Sequence, residues 1–182
     1  MSYASSFKFS DPIGPSSISG SHQGIHDFST TKNYALGTRV RAIDPVLGES
    51  EFIYATGVAS TAVGNLIQLN GDYTTTRAAG GTIKGLCGVA MSASVASTYG
   101  WYCIKGSCLV LIAADVTGDV PGYATATAGV WADDIVAGSH IIGSQLLNGT
   151  DAAGSAIPNT TDTLAAHYTV ARLFYPCVVK AV

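Results

Sequence analysis

A chain of 182 residues can bury a sizeable core without disulfides or a metal, and suits one domain or one domain with an arm. Hydrophobic residues make up 47% of it and charged residues only 12%, about half the usual charged share, at a net charge of −3. So little charge cannot coat a whole surface, which points to polar-poor area covered by a partner. The nine Lys and Arg are scattered along the chain, which argues against a nucleic-acid partner. No run approaches the roughly eighteen apolar residues of a membrane-spanning helix, so no membrane contact is expected. The opening Met1-Ser2-Tyr3-Ala4-Ser5-Ser6-Phe7-Lys8-Phe9 lacks the basic start and apolar stretch of a secretory signal.

Residues 1–35 read as an extended arm rich in Gly, Ser and Pro. Ser10-Asp11-Pro12-Ile13-Gly14-Pro15-Ser16-Ser17-Ile18-Ser19-Gly20-Ser21 shows no period and cannot by itself offset its ordering entropy. Phe7, Phe9, Ile13, Ile18, Ile25 and Phe28 punctuate it. Such anchors on a flexible segment predict docking, either on the chain's own body or on a neighbour. The body, residues 36–182, is expected to fold without residues 1–30.

From Leu36 the pattern is β. Thr38-Arg39-Val40-Arg41-Ala42-Ile43 alternates, with Val40 on one side and the two arginines on the other. A turn at Asp44-Pro45 and Leu47-Gly48 joins it to Ser50-Glu51-Phe52-Ile53-Tyr54-Ala55 as a hairpin. Gly64-Asn65 reads as a turn before a strand at 66–69, and Asn70-Gly71-Asp72 as the next turn. Short strands are expected at 85–91, 122–127, 135–136, 140–142, 167–174 and 177–179, with a polar loop over 148–163. The run Thr163 to Phe174 also matches a helical template in part, with Leu164, Tyr168 and Ala171 in line, and strand is the preferred reading. The clearest strand covers 100–112. Plain alternation puts Tyr102, Ile104, Cys108, Val110 and Ile112 on one face and Trp101, Cys103, Lys105, Leu109 and Leu111 on the other. Both faces are apolar enough that part of the second should also be covered. Gly106 marks a bend or bulge within it. Many short strands with Gly-rich turns predict an all-β fold, a single β-sandwich or a β-barrel-like domain with the N-terminal arm attached.

No motif for chemistry emerges. Gly-x-Ser-x-Gly, phosphate-binding glycine loops and His-Glu-x-x-His are absent. His22 and His26 lie in the arm, where no helix brings them together. His140 and His167 sit in apparent strands without an acidic neighbour. Asp133-Asp134 point apart in an extended chain and read as a solvated turn. Carboxylates near the turn, Asp44, Glu49 and Glu51, match no calcium loop. Cys87, Cys103, Cys108 and Cys177 read as reduced thiols. Cys103 and Cys108, five apart, are expected on opposite faces and so not on a shared metal. Asn148-Gly149-Thr150 and Asn159-Thr160-Thr161 match the glycosylation pattern as chance occurrences in a polar loop. The expectation is a non-enzyme without metal or cofactor.

The order of segments resembles a known family. The run Leu36-Gly37-Thr38-Arg39-Val40-Arg41-Ala42-Ile43-Asp44-Pro45, continuing through Gly48-Glu49-Ser50-Glu51-Phe52-Ile53-Tyr54-Ala55-Thr56-Gly57-Val58-Ala59, is similar to a segment of tailed-bacteriophage capsid decoration, or cement, proteins. The similarity continues at Val89-Ala90-Met91-Ser92-Ala93, Tyr99-Gly100-Trp101-Tyr102-Cys103-Ile104-Lys105-Gly106, Tyr123-Ala124-Thr125-Ala126-Thr127-Ala128-Gly129 and Val170-Ala171-Arg172-Leu173-Phe174. The cysteines lie outside the shared pattern. The resemblance implies a structural protein on the outer surface of a phage head, assembled in the host cytoplasm. It implies binding to the major capsid protein at subunit junctions, and self-association as a dimer or trimer. Candidate capsid- or subunit-interface residues are then Phe7, Phe9, Ile13, Ile18, Ile25 and Phe28 on the arm, with Trp101, Leu109 and Leu111 on the long strand. The alternative is a head-fibre or adhesin module that binds host glycans on a platform of Tyr99, Trp101 and Tyr102.

Overall fold

The computed structural model describes residues 7–9, 23–113, 116–134, 139–147 and 167–178. The strand expected at 135–136, the loop expected over 148–163, both sequon matches and His22 lie outside the described residues. The described chain is all β, as its composition and turn spacing predict. Its strands are β1 (Lys8–Phe9), β2 (Phe28–Ser29), β3 (Arg39–Asp44), β4 (Gly48–Thr56), β5 (Leu66–Leu69), β6 (Thr75–Arg77), β7 (Gly85–Ala90), β8 (Tyr99–Leu111), β9 (Val120–Ala124), β10 (Trp131–Ala132), β11 (His140–Leu146) and β12 (Tyr168–Val178). They form one antiparallel sheet in the order β1-β3-β4-β8-β7-β12-β11-β9-β10, with β2 on β8 and the β5–β6 hairpin on β7. The sheet is not closed. It bends over itself in the manner of a sandwich, so that both of its faces hold buried side chains.

The β3–β4 hairpin forms as expected. The Asp44 carboxylate accepts hydrogen bonds from the Val46 and Leu47 amides at 2.8 and 2.9 Å, and Gly48 takes the left-handed φ of +81°. Val40 and Ala42 point into the core while Arg39 and Arg41 face out.

Strand β8 is the spine, pairing with β2, β4, β7 and β12. Uniform alternation along it, expected from its sequence, does not hold. Phe52 opposes Cys103, but the next residue back, Glu51, opposes Lys105, so β8 carries one extra residue against β4. Gly106 follows at φ +97°. The bulge consumes one residue of the two-residue period, and the faces exchange. Before it, Trp101 and Cys103 enter the principal core; after it, Cys108, Val110 and Ile112 do. Tyr102 and Ile104 instead join a second cluster with Ile53, Ala55, Ile67, Leu69 and Ala90. Cys103 and Cys108 are therefore neighbours in one core, correcting the expectation that they lie on opposite faces.

Strand β12 also departs from expectation. It runs unbroken through Pro176, where two separate strands were expected. Against β11, Ile142 opposes Cys177 while Ser144 opposes Leu173, so β12 accommodates two extra residues there. Pro176 falls within that irregular stretch, where its missing N–H breaks no regular ladder.

The described parts of the segment 1–35 dock on the chain's own body. β1 pairs with β3 and β2 with β8. Phe7, Ile25 and Tyr34 are members of the principal core. Gln23, 4% exposed, is its polar hub. Its side-chain amide donates to the carbonyls of Tyr99 at 2.7 Å and Asp27 at 3.0 Å. Its Oε1 accepts from the Tyr54 hydroxyl at 2.7 Å and from Asn33 at 3.0 Å, and its carbonyl accepts from Trp101 Nε1 at 3.2 Å. The principal core thus draws on residues from before Leu36.

Candidate interaction surface

The two bulges that interrupt β8 and β12 shape one outward-facing surface. Arg41 opposes Glu51, Glu51 opposes Lys105, and Lys105 opposes Phe174. Directly opposed residues share a sheet face, so these four form one row across β3, β4, β8 and β12. Arg39, Glu49 and Arg172 flank it. Four of the nine Lys and Arg thus gather on one face, although along the sequence they looked scattered. The sequence separates them by up to 133 positions, and only the antiparallel pairings bring them together.

The row is braced internally. Arg39 contacts Glu51 at 3.4 Å and Arg41 contacts Glu49 at 3.2 Å. The Tyr175 hydroxyl donates to Glu51 Oε2 at 2.9 Å. That hydrogen bond holds the Tyr175 phenol protonated to higher pH than usual, aided by burial and by the Glu51 charge, and opposed by Arg39. Lys105 Nζ lies 5.3 Å from the Phe174 ring centre and 5.5 Å from that of Tyr175, and the Arg39 guanidinium lies 5.8 Å from Tyr175. Phe174 is 66% exposed, the most exposed large hydrophobic side chain among the described residues. Beside it, between the β3–β4 hairpin and β12, lies a groove of about 430 Å³ lined by Arg41, Glu49, Glu51, Lys105, Gly106 and Arg172.

The sequence-derived interface candidates are distributed differently. Phe7 packs edge-on against Phe52, with ring centres 5.0 Å apart, and it is buried, as are Ile25 and Trp101. These three are committed to the chain's own core and offer no exposed anchor. Leu109 is at the margin of burial in a small cluster with Val170, and Leu111 is half-buried. Phe28 is 49% exposed. The Phe9 backbone pairs with Ala42, while its side chain, with Ile13 and Ile18, lies outside the described residues. Sequence reading missed Arg39, Arg41, Lys105, Arg172 and Phe174. The only sequence signal for them was the arginine alternation in β3 and the glycine after Lys105.

The remaining candidates are occupied structurally. His26 bridges the Phe7 amide at 3.4 Å and the Met91 carbonyl at 3.1 Å. His140 stacks on Tyr123 with ring centres 5.0 Å apart. Asp133 accepts a hydrogen bond from the Thr117 amide. Trp101 and Tyr102 are both buried, and they enter different clusters, so they form no sugar-stacking platform with Tyr99. All four cysteines are free thiols; Cys87, Cys103 and Cys108 are buried and Cys177 half-buried. Burial pushes the Cys87 thiol up to about 12, with Cys177 adding to it, and raises Cys108, to which Cys103 contributes. Among the described residues no group of three His, Cys, Asp or Glu could hold a metal ion. No family model matches this chain, and no curated protein matches it.

Proposed function

We propose that this chain is a structural decoration protein of a phage head, which binds the outer capsid surface where subunits meet and ties them together without making or breaking a bond. The observation that carries the reading is the braced row Arg41–Glu51–Lys105–Phe174, which presents charge and an exposed aromatic ring on a sheet rather than on a loop. A surface whose side chains are already held by cross-strand partners loses little entropy on docking. The low overall charge and the resemblance of segments 36–174 to decoration proteins support the same reading. The partner on this reading is the major capsid protein, and the chain acts as a dimer or trimer. Even a modest contact, repeated over many copies, would hold the shell against internal pressure.

Titration of the purified chain onto undecorated heads tests this. Saturating, stoichiometric binding at micromolar concentration is expected. Absence of binding at that concentration sinks the reading, whatever the oligomeric state proves to be.

A further inference from the structure

On the outer face of β8 and β12, Lys105 stands opposite Phe174 and Ser107 opposite Arg172. Lys105 and Arg172 are therefore diagonal neighbours, with backbones about 7 Å apart at the usual sheet spacing. Like charges so placed repel unless an anion lies between them. The nearby carboxylates are already engaged: Glu51 by Arg39 and the Tyr175 hydroxyl, Glu49 by Arg41. Among the described residues neither Lys105 nor Arg172 forms an ion pair. Both line the groove of about 430 Å³, with the Gly106–Ser107 backbone between them.

We infer that this groove receives an extended acidic segment of the partner protein, one of whose carboxylates sits between Lys105, Arg172 and Ser107 while a neighbouring apolar side chain covers Phe174. Charge complementarity selects the occupant. The two cations attract an anion, and Glu49 and Glu51, which line the same groove with Glu51 directly opposite Lys105, admit one isolated carboxylate but repel the next charge of a phosphate chain. An acidic protein segment fits that pattern better than a nucleic acid, whose charges recur at every nucleotide. In assigning the segment to the capsid the inference rests on the proposed function; the chemistry of the groove does not.

The test compares the full-length chain with K105Q/R172Q and K105R. Circular dichroism melts should be alike for all three. On undecorated heads, K105Q/R172Q is expected to bind about tenfold more weakly or worse, and K105R within about threefold of the parent. Raising the salt from 50 to 300 mM should weaken the parent more than the double variant. Unchanged head affinity in K105Q/R172Q overturns the inference while leaving the decoration role standing. If the parent binds no heads, the decoration role fails, and the groove is still tested alone. Titration with the peptide acetyl-Ser-Glu-Phe-Ser-amide should then shift the Gly106 and Ser107 amide resonances of the parent, but not those of the double variant. No shift at about 20 mM peptide, or a stronger response to a 20-base-pair DNA duplex, overturns it.

Discussion

At Gly106 the backbone sits at φ +97°, and an added Cβ would run into the Ser50 hydroxyl and come within 2.7 Å of the Glu49 carbonyl. Gly48, at φ +81°, has open space where its Cβ would go. The two positions separate conformational strain from collision. Gly48→Ala should cost about 1 kcal/mol through backbone strain alone. Gly106→Ala should cost roughly 3 kcal/mol or more, because β4 and β8 must also part. Urea denaturation of both variants checks the contrast, and equal losses would mean that the close approach to Ser50 is not a constraint. Gln23 makes the same point for a polar side chain. Its side-chain amide serves four partners, so Gln23→Ala leaves the Tyr99 and Asp27 carbonyls, the Tyr54 hydroxyl and the Asn33 amide each short of a hydrogen bond. A loss of about 2–4 kcal/mol is expected by the same measurement.

Among the elements, the N-terminal strands decide how much of the chain counts as body. β1 covers the edge of β3, and Phe7 fills the space beside Phe52. Phe7→Ala should cost about 3 kcal/mol, the usual range for a buried ring. Deleting residues 1–30 removes Phe7, Gln23, Ile25 and the whole of β2 at once. That truncated chain is expected to lose cooperative unfolding, read by near-ultraviolet circular dichroism and denaturant titration. A truncation that melted like the full chain would show that the arm contacts contribute nothing to the core. The bulges in β8 and β12 act at this scale too. The one in β8 turns Lys105 to the outer surface, where the unbroken β8–β12 register sets it opposite Phe174.

For the whole molecule, the buried acids set the alkaline limit of stability. Tyr54 is pushed up to about 12, mainly by burial, with the nearby tyrosines adding to it and the Asn33 amide opposing. Burial also raises Tyr102 and places Cys87 at about 12. A folded value above the unfolded one means the folded chain holds protons that the unfolded chain releases. Stability from these groups is therefore complete below the unfolded values, near 9 for the thiol and 10 for the phenols, and is lost as pH rises towards 12. The urea midpoint should fall steadily between pH 9 and 12, with the share of tyrosinate absorbance that belongs to Tyr54 and Tyr102 appearing only as the chain unfolds. A flat midpoint over that window would contradict the placement of these groups. The same burial predicts thiol access: one cysteine, the half-buried Cys177, should react with a thiol reagent in the native state, and Cys87, Cys103 and Cys108 only after denaturation.

The all-β class, the β3–β4 hairpin and the turns at Asp44 to Gly48 and Asn70 to Asp72 were legible in the sequence, because turn chemistry and two-residue alternation are local properties. Gly106 was legible as an irregularity, but its consequence was not. Whether a bulge exchanges the faces of β8 depends on its register against β4, a strand about fifty residues away in the chain. That register placed Trp101 inside and joined Cys103 to Cys108. The surface was hidden for the same reason: Arg39, Arg41, Lys105, Arg172 and Phe174 become neighbours only through pairings between distant strands. Residue type and spacing determined which segments are strands; which side chains remain for a partner was decided by how those strands register and bend.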